Sequence, residues 1–276
     1  MPVLGPRIVV AGTASGVGKT TVATGLMAAF RRRGMIVASA KVGPDFIDPG
    51  YHALATARPA RNLDTWLCGT EAMGHLAGRA MLGADILVVE GVMGLFDGSA
   101  DPGPRSGGGT PATATTAEMA VLLGAAVVLV VDAAGLSGSV AALVHGFRSW
   151  DPGVAVAGVV LNRVASDSHE AMLRLALAPV GLPVLGALRR DDRLRWRDRH
   201  LGLVPVVEDE AAVRRSLDTL AQVVEHDCDL DAIANLARSS PPTVVGDVPR
   251  ARPSGRARVA VVGGRGFSFT YPETSN

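Results

Sequence analysis

Short runs of β-branched apolar residues alternate along the chain with segments whose apolar positions recur at helical spacing. The first kind predicts strands over residues 7–11, 36–41, 86–90, 127–132, 154–162 and 184–188. The second predicts helices over 20–33, 71–81, 115–123, 139–148 and 168–177. Strands that are apolar on both faces and separated by helices specify an α/β fold, a mainly parallel sheet with helices on both faces. In such sheets ligands bind beyond the carboxyl ends of the strands. The residues closing the strand runs, Ala11, Lys41, Glu90, Asp132 and Asn162, therefore mark the edge where chemistry is expected.

After residue 188 the pattern changes to an Arg/Asp-rich stretch over 189–200 and then a helical pair near 208–226 and 230–238. Residues 239–257, rich in Pro, Ser, Gly and Arg, read as a linker that ends the first domain at residue 238. Residues 258–262 read as a new strand, and one strand cannot bury its own faces, so 258–276 resembles the opening of a further domain. A length of 276 residues accommodates one large α/β domain and a short appendage.

Composition narrows the partners. A formal net charge of +1 favours neither nucleic acid nor a polybasic membrane surface. No apolar run reaches the roughly 18 residues that span a bilayer, and the start of the chain lacks a signal-peptide pattern, so a cytoplasmic location is expected. Cys68 and Cys228 are too few for a disulfide framework or a four-thiolate site, and the six histidines show no zinc-ligand spacing. Among 27 basic residues only Lys19 and Lys41 are lysine, and both fall inside motifs, as though a compact ammonium is needed where a planar guanidinium would not fit.

Gly12-Thr-Ala-Ser-Gly-Val-Gly-Lys-Thr20 lies between a predicted strand and a predicted helix, the context of a nucleotide phosphate loop. Gly12, Thr13, Ser15, Gly16, Val17 and Gly18 offer backbone N–H groups to phosphate oxygens at a helix N-terminus. Lys19 can neutralise the β- and γ-phosphates of ATP, Thr20 can ligate Mg2+, and Thr21 doubles the hydroxyl. Thr13 stands where the first motif glycine is usual, with Gly12 preceding it.

Three further groups lie at the same edge. Lys41-Val-Gly-Pro-Asp-Phe-Ile-Asp-Pro-Gly-Tyr-His52 is stiffened by Gly43-Pro44 and Pro49-Gly50, and Asp45 is the first candidate for Mg2+, with turn capping by Asp45 and Asp48 as the alternative. Glu90 closes an apolar run, which suggests a metal or a cation partner, and Asp97 on the glycine-flanked loop beyond it can meet the acceptor. Asn162, followed by Arg163, can read an adenine edge through its carboxamide or form a turn.

These blocks resemble the cobyrinic (or hydrogenobyrinic) acid a,c-diamide synthases of cobalamin biosynthesis. The resemblance rests on Gly12 to Thr20, on Lys41 to His52, on Glu90 to Gly98 and on Leu161-Asn-Arg163, and covers nearly the whole chain. Dethiobiotin synthetases have a similar phosphate loop, so a P-loop NTPase fold of that kind is implied. The implied reaction is transfer of the ATP γ-phosphoryl group to the a and c carboxylates of cobyrinate or hydrogenobyrinate, followed by attack of ammonia from a glutaminase domain. Lys19 and Thr20 would hold phosphates and Mg2+, Asp45 and Glu90 the metal, and Asp97 the substrate or intermediate. Residues 258–276 look like only the first strand and turn of a glutaminase domain, and Cys228 lacks the small neighbours of a nucleophile elbow, so no glutaminase activity is expected of this chain. Homodimer formation is left open. The competing readings are a cobyric acid synthase or dethiobiotin synthetase acting on other acids, and a partitioning-type ATPase switch, whose extra lysine near the loop start is replaced here by Ala14.

Overall fold

The computed structural model describes residues 3–102, 112–191, 198–199, 202–203, 206–245, 260–262, 264 and 269–271. Its centre is a sheet of seven strands: β1 (Arg7–Gly12), β2 (Val37–Val42), β3 (Arg61–Leu63), β4 (Ile86–Glu90), β5 (Ala126–Asp132), β6 (Val156–Val164) and β7 (Val184–Arg189). The spatial order is β7-β6-β5-β1-β4-β2-β3 and each neighbouring pair is parallel. Alternate residues of each strand face opposite sides. Ile8, Val10, Val88 and Val128 pack against Val22 and Leu26 of α1 (Lys19–Arg32), Leu220 and Val224 of α8 (Glu210–Asp227) and Ile233 of α9 (Leu230–Ser239). Val9, Val89, Leu129 and Leu161 face the other way, toward Met73 of α4 (Thr70–Met81), Met119 of α5 (Thr116–Leu123), Val144 of α6 (Ser139–Ser149) and Leu173 of α7 (Asp167–Leu177). Two cores thus cover one sheet, and every strand in the middle is apolar on both sides for that reason.

Helix ends follow local chemistry. Thr115, Ser166, Asp209 and Asp229 each accept a backbone N–H in the first turn of α5, α7, α8 and α9. Arg31 and Arg32 occupy the last turn of α1, where the helix dipole favours cations. No helix among the described residues is long and apolar enough to cross a membrane.

Four features depart from the sequence pattern, the first being β3, a seventh strand that no apolar run announces. Residues 48–56 form a helix, α2 (Asp48–Thr56), where a loop is expected; Pro49 occupies its first turn, the one place where a helix tolerates a missing N–H. Residues 240–244, inside the stretch expected as a linker, pack against the domain. Ser240 is buried and its hydroxyl donates to Arg7 O at 3.0 Å, Arg7 Nη2 donates to Pro241 O at 3.0 Å, and Thr243–Val244 pairs antiparallel with Val3–Leu4. The buried Arg7 guanidinium also donates to Gly5 O and Leu123 O, so one side chain ties both ends of the domain to its core. Of the strand expected over 258–262, Arg258 and Val259 lie outside the described residues, and Ala260, Val261 and Val262 carry no strand pairing. Most of residues 189–200 likewise lies outside them.

Cys228 is buried against β7, where a Cβ on Gly186 would stand 2.4 Å from Sγ. Burial and the neighbouring Asp227 push its thiol up to about 12, the condition of an inert core cysteine.

Candidate active site

The loop after β1 curls over the N-terminus of α1. Gly16 and Gly18 adopt φ of 76° and 100°, a left-handed conformation that favours glycine. At Gly18 a Cβ would also lie 2.1 Å from Asn162 Nδ2. That amide donates to Val17 O at 2.9 Å, and Arg163 Nη2 donates to Gly16 O at 3.0 Å while its Nη1 pairs with Asp132. Arg163 itself holds a positive φ of 58°. The ends of β5 and β6 therefore pin the loop from below, and Leu95 N, donating to Gly12 O at 2.8 Å, pins it from the side. Lys19 folds back across the loop to donate to Ala14 O at 2.9 Å. Burial and the nearby Lys41 lower its pKa, so an incoming anion would restore a charge that the site otherwise disfavours.

Beside the loop lies a buried cluster that begins with strand register. Lys41 at the end of β2 is the direct neighbour of Glu90 at the end of β4. Lys41 Nζ is 2.8 Å from Glu90 Oε1 and 2.7 Å from Asp48 Oδ2, and also donates to Gly91 O at 3.1 Å. Thr20 Oγ1 donates to Glu90 Oε1 at 2.6 Å and stands 3.4 Å from Asp48 Oδ2. His52, fully buried on α2, donates from Nε2 to Glu90 Oε2 at 2.6 Å, and its Nδ1 has no hydrogen-bond partner among the described residues. Burial alone would raise the Glu90 pKa, but Lys41 and His52 override it and hold the group below the ordinary carboxylate range. Burial likewise works against Lys41, yet Glu90 and Asp48 raise its pKa above the usual value. Asp48 is pushed up to about 6 by burial and by Glu90, against the pull of Lys41.

The two acids first singled out in the loops have local partners. Asp45 Oδ1 accepts from Ile47 N at 2.6 Å and Asp48 N at 3.0 Å, the capping role weighed as its alternative, so Asp48 is the carboxylate of this loop that reaches Thr20 and Lys41. Asp97 Oδ2 accepts from Gly94 N at 2.8 Å and closes the turn after β4, while its charge is felt at Lys19. Asn62 Nδ2 donates to Gly43 O and Asp45 O, both at 2.8 Å, and holds the acidic loop down.

A phosphate loop, two lysines and a set of hard oxygens thus converge beyond the strand ends. Residues 8–204 match the family described as the CobQ/CobB/MinD/ParA nucleotide binding domain. The chain belongs to that family. A hydrogenobyrinate a,c-diamide synthase of Streptomyces coelicolor is 49% identical over 97% of this chain and 60% of its own length. One from Mycobacterium bovis is 49% identical over 96% of the chain and 58% of its own, and one from Thermobifida fusca 45% identical over 97% and 58%. The chain spans about three fifths of the length of these curated relatives.

In this CobQ/CobB/MinD/ParA-type domain the structure brings together Gly12 to Thr20, Lys41, Glu90, Asn162 and Arg163, all singled out by sequence pattern. Asp48, His52 and Asn62 join them without having been chosen as site residues. Asp48 and His52 stand four apart, one helical turn, and that spacing is the signal that would have placed both on the face of α2 toward Glu90. The oxygens of Thr20, Asp48 and Glu90 suit Mg2+, which prefers hard ligands and usually completes its shell with water and substrate phosphate.

Proposed function

We propose that the chain binds ATP with Mg2+ and phosphorylates the a and c carboxylates of hydrogenobyrinate or cobyrinate, so that ammonia can replace each as an amide. The observation that carries this reading is the junction of Thr20 with Glu90, Asp48 and Lys41 at the strand ends, within electrostatic reach of Lys19. Relatives that match nearly the whole chain at 45–49% identity and are named hydrogenobyrinate a,c-diamide synthase support the choice of acid.

A carboxylate oxygen is a poor leaving group and a phosphate a good one. The acid's oxygen attacks the γ-phosphorus, the bond to the β,γ-bridging oxygen breaks, and ADP departs. Ammonia, supplied by a glutaminase domain, then adds its lone pair to the carbonyl carbon and gives up a proton as phosphate leaves. Little covalent work falls to the protein, and positioning with charge neutralisation supplies the catalysis. Backbone N–H groups of Gly12, Ser15, Gly16, Val17 and Gly18 cradle the phosphates, aided by Thr21, while the Thr13 N–H is taken by Val130 O at 3.2 Å, and Lys19 offsets the charge that moves onto the β,γ-bridging oxygen. Thr20, Asp48 and Glu90 would hold Mg2+, with Asp45 shaping the turn that leads into α2, and the ion would supply neutralisation of phosphate charge. Lys41 and His52 fix both oxygens of Glu90. Asn162 and Arg163 serve the nucleotide side and Asp97 the acceptor side.

ADP release in the presence of ATP, Mg2+ and ammonium, measured across a panel of acids, tests the reading. Release stimulated by hydrogenobyrinate or cobyrinate supports it. Stimulation by diaminopelargonate, or release indifferent to every acid, would replace it with a dethiobiotin-synthetase or ATPase-switch reading.

A further inference from the structure

Beyond the ends of β2 and β4 lies a cavity of about 230 Å³ with a mainly apolar lining. Its walls are the site's own loops: Gly43 and Pro44 just before Asp45, Val92 and Met93 just after Glu90, and Gly98 just after Asp97. Trp66 and Leu67 close the remaining side from α3 (Thr65–Cys68). Asp64 holds that short helix in place by accepting from Trp66 N at 2.8 Å and Leu67 N at 3.0 Å.

Three aspects mark the cavity as built for a ligand. Trp66 and Leu67 are each 62% exposed and Met93 41%, a contiguous apolar rim that folding alone does not require. Met93 and Ala114, both lining residues, hold φ of 47° and 58°, a conformation that side chains other than glycine rarely adopt and that persists where the surroundings impose it. Finally, among the described residues no lining side chain is basic, so the cavity suits hydrocarbon rather than an anionic group.

We infer that this cavity seats one apolar edge of the corrin macrocycle, with its methyl-bearing carbon skeleton against Trp66, Leu67 and Met93, so that a peripheral carboxylate projects past Asp45 and Asp97 toward the nucleotide. The inference rests on the proposed function and adds the subsite that selects the acid. The volume agrees with an edge rather than a whole ligand, because sites that enclose a drug-sized molecule run to about 300–1,000 Å³. The rest of the macrocycle lies outside over the exposed indole, an arrangement that leaves it free to turn and present a second carboxylate.

Hydrogenobyrinic acid titrated into the chain with Mg2+ and a non-hydrolysable ATP analogue, followed by equilibrium dialysis and tryptophan quenching, tests the assignment. Trp66→Ala and Leu67→Asp should each weaken hydrogenobyrinate binding about ten-fold or more, as expected when a large apolar contact is lost, with nucleotide affinity unchanged. Leu82→Asp, equally exposed but outside the cavity, should leave both affinities alone. Hydrogenobyrinate affinity within two-fold of the parent in both cavity variants, or an equal loss in Leu82→Asp, overturns the cavity assignment while corrinoid-stimulated ADP release keeps the functional reading. A parent chain that neither binds hydrogenobyrinate nor releases ADP in response to it overturns both.

Discussion

Lys41 and Glu90 are register neighbours on adjacent strands, each almost fully withdrawn from solvent, with Nζ 2.8 Å from Oε1. Removing either partner leaves a buried charge with too little compensation. Lys41→Met should therefore cost about 3–5 kcal/mol of stability, read as a lower midpoint in denaturant unfolding, and the double variant with Glu90→Gln should recover a large part of it. Equal losses in the single and double variants would show that the pair is not coupled.

Asp45 and Asp48 separate by role. Asp45→Ala removes the side-chain acceptor of the turn leading into α2 and should cost about 1 kcal/mol in unfolding with turnover largely kept. Asp48→Asn keeps the shape but weakens the oxygen set beside Thr20, so corrinoid-dependent ADP release should fall while the fold stays. The reverse pattern would return the metal-side role to Asp45.

His52 acts through Glu90. His52→Ala frees Oε2 and should weaken divalent-ion binding about 10–100-fold, the usual effect of losing the partner that orients a ligand, as measured by Mn2+ binding with ATP present. His52→Gln can still donate an N–H toward Oε2 and should recover part of the affinity. Unchanged Mn2+ affinity in His52→Ala would make the residue purely structural.

Six of the seven strands were legible because they carry a mainly apolar code on both faces, with Lys41, Glu90 and Asn162 at or near their ends, whereas β3, the Arg-Asn-Leu stretch at Arg61–Leu63, is too short and polar to be read from pattern. The phosphate loop was legible because glycine spacing and a following helix make a local motif. The helix from Asp48 was not, since Gly43-Pro44 and Pro49-Gly50 speak for turns, and the turn in which Asp45 accepts from Ile47 N and Asp48 N leads that stretch into the helix. Choosing between Asp45 and Asp48 needs to know where that helix begins, which depends on Asn62, far along the chain, holding the loop against β3. The packing of residues 240–244 depends on Arg7 in the same way, because a buried guanidinium draws in whatever carbonyls can satisfy it.

The two thiols should behave oppositely. Cys228, with its thiol pushed up to about 12 from an ordinary 9.0, stays protonated and buried, whereas Cys68 is exposed. Iodoacetamide at mild alkaline pH should label Cys68 and spare Cys228 until the chain unfolds. Because the unfolded thiol ionises first, this group withdraws stability as pH rises from 9 toward 12, and Cys228→Ser should reduce that slope. Rapid labelling of Cys228 in the folded chain would contradict its place in the core.

The central claim is that ATP's terminal phosphoryl group passes to a carboxylate of the acid. Hydrogenobyrinate labelled with oxygen-18 in its carboxylates, incubated with the chain, MgATP and ammonium, tests this most directly when the released phosphate is examined by mass spectrometry. One labelled oxygen in phosphate for each amide formed is the predicted result. Phosphate free of label, with its new oxygen drawn from water, would contradict the account.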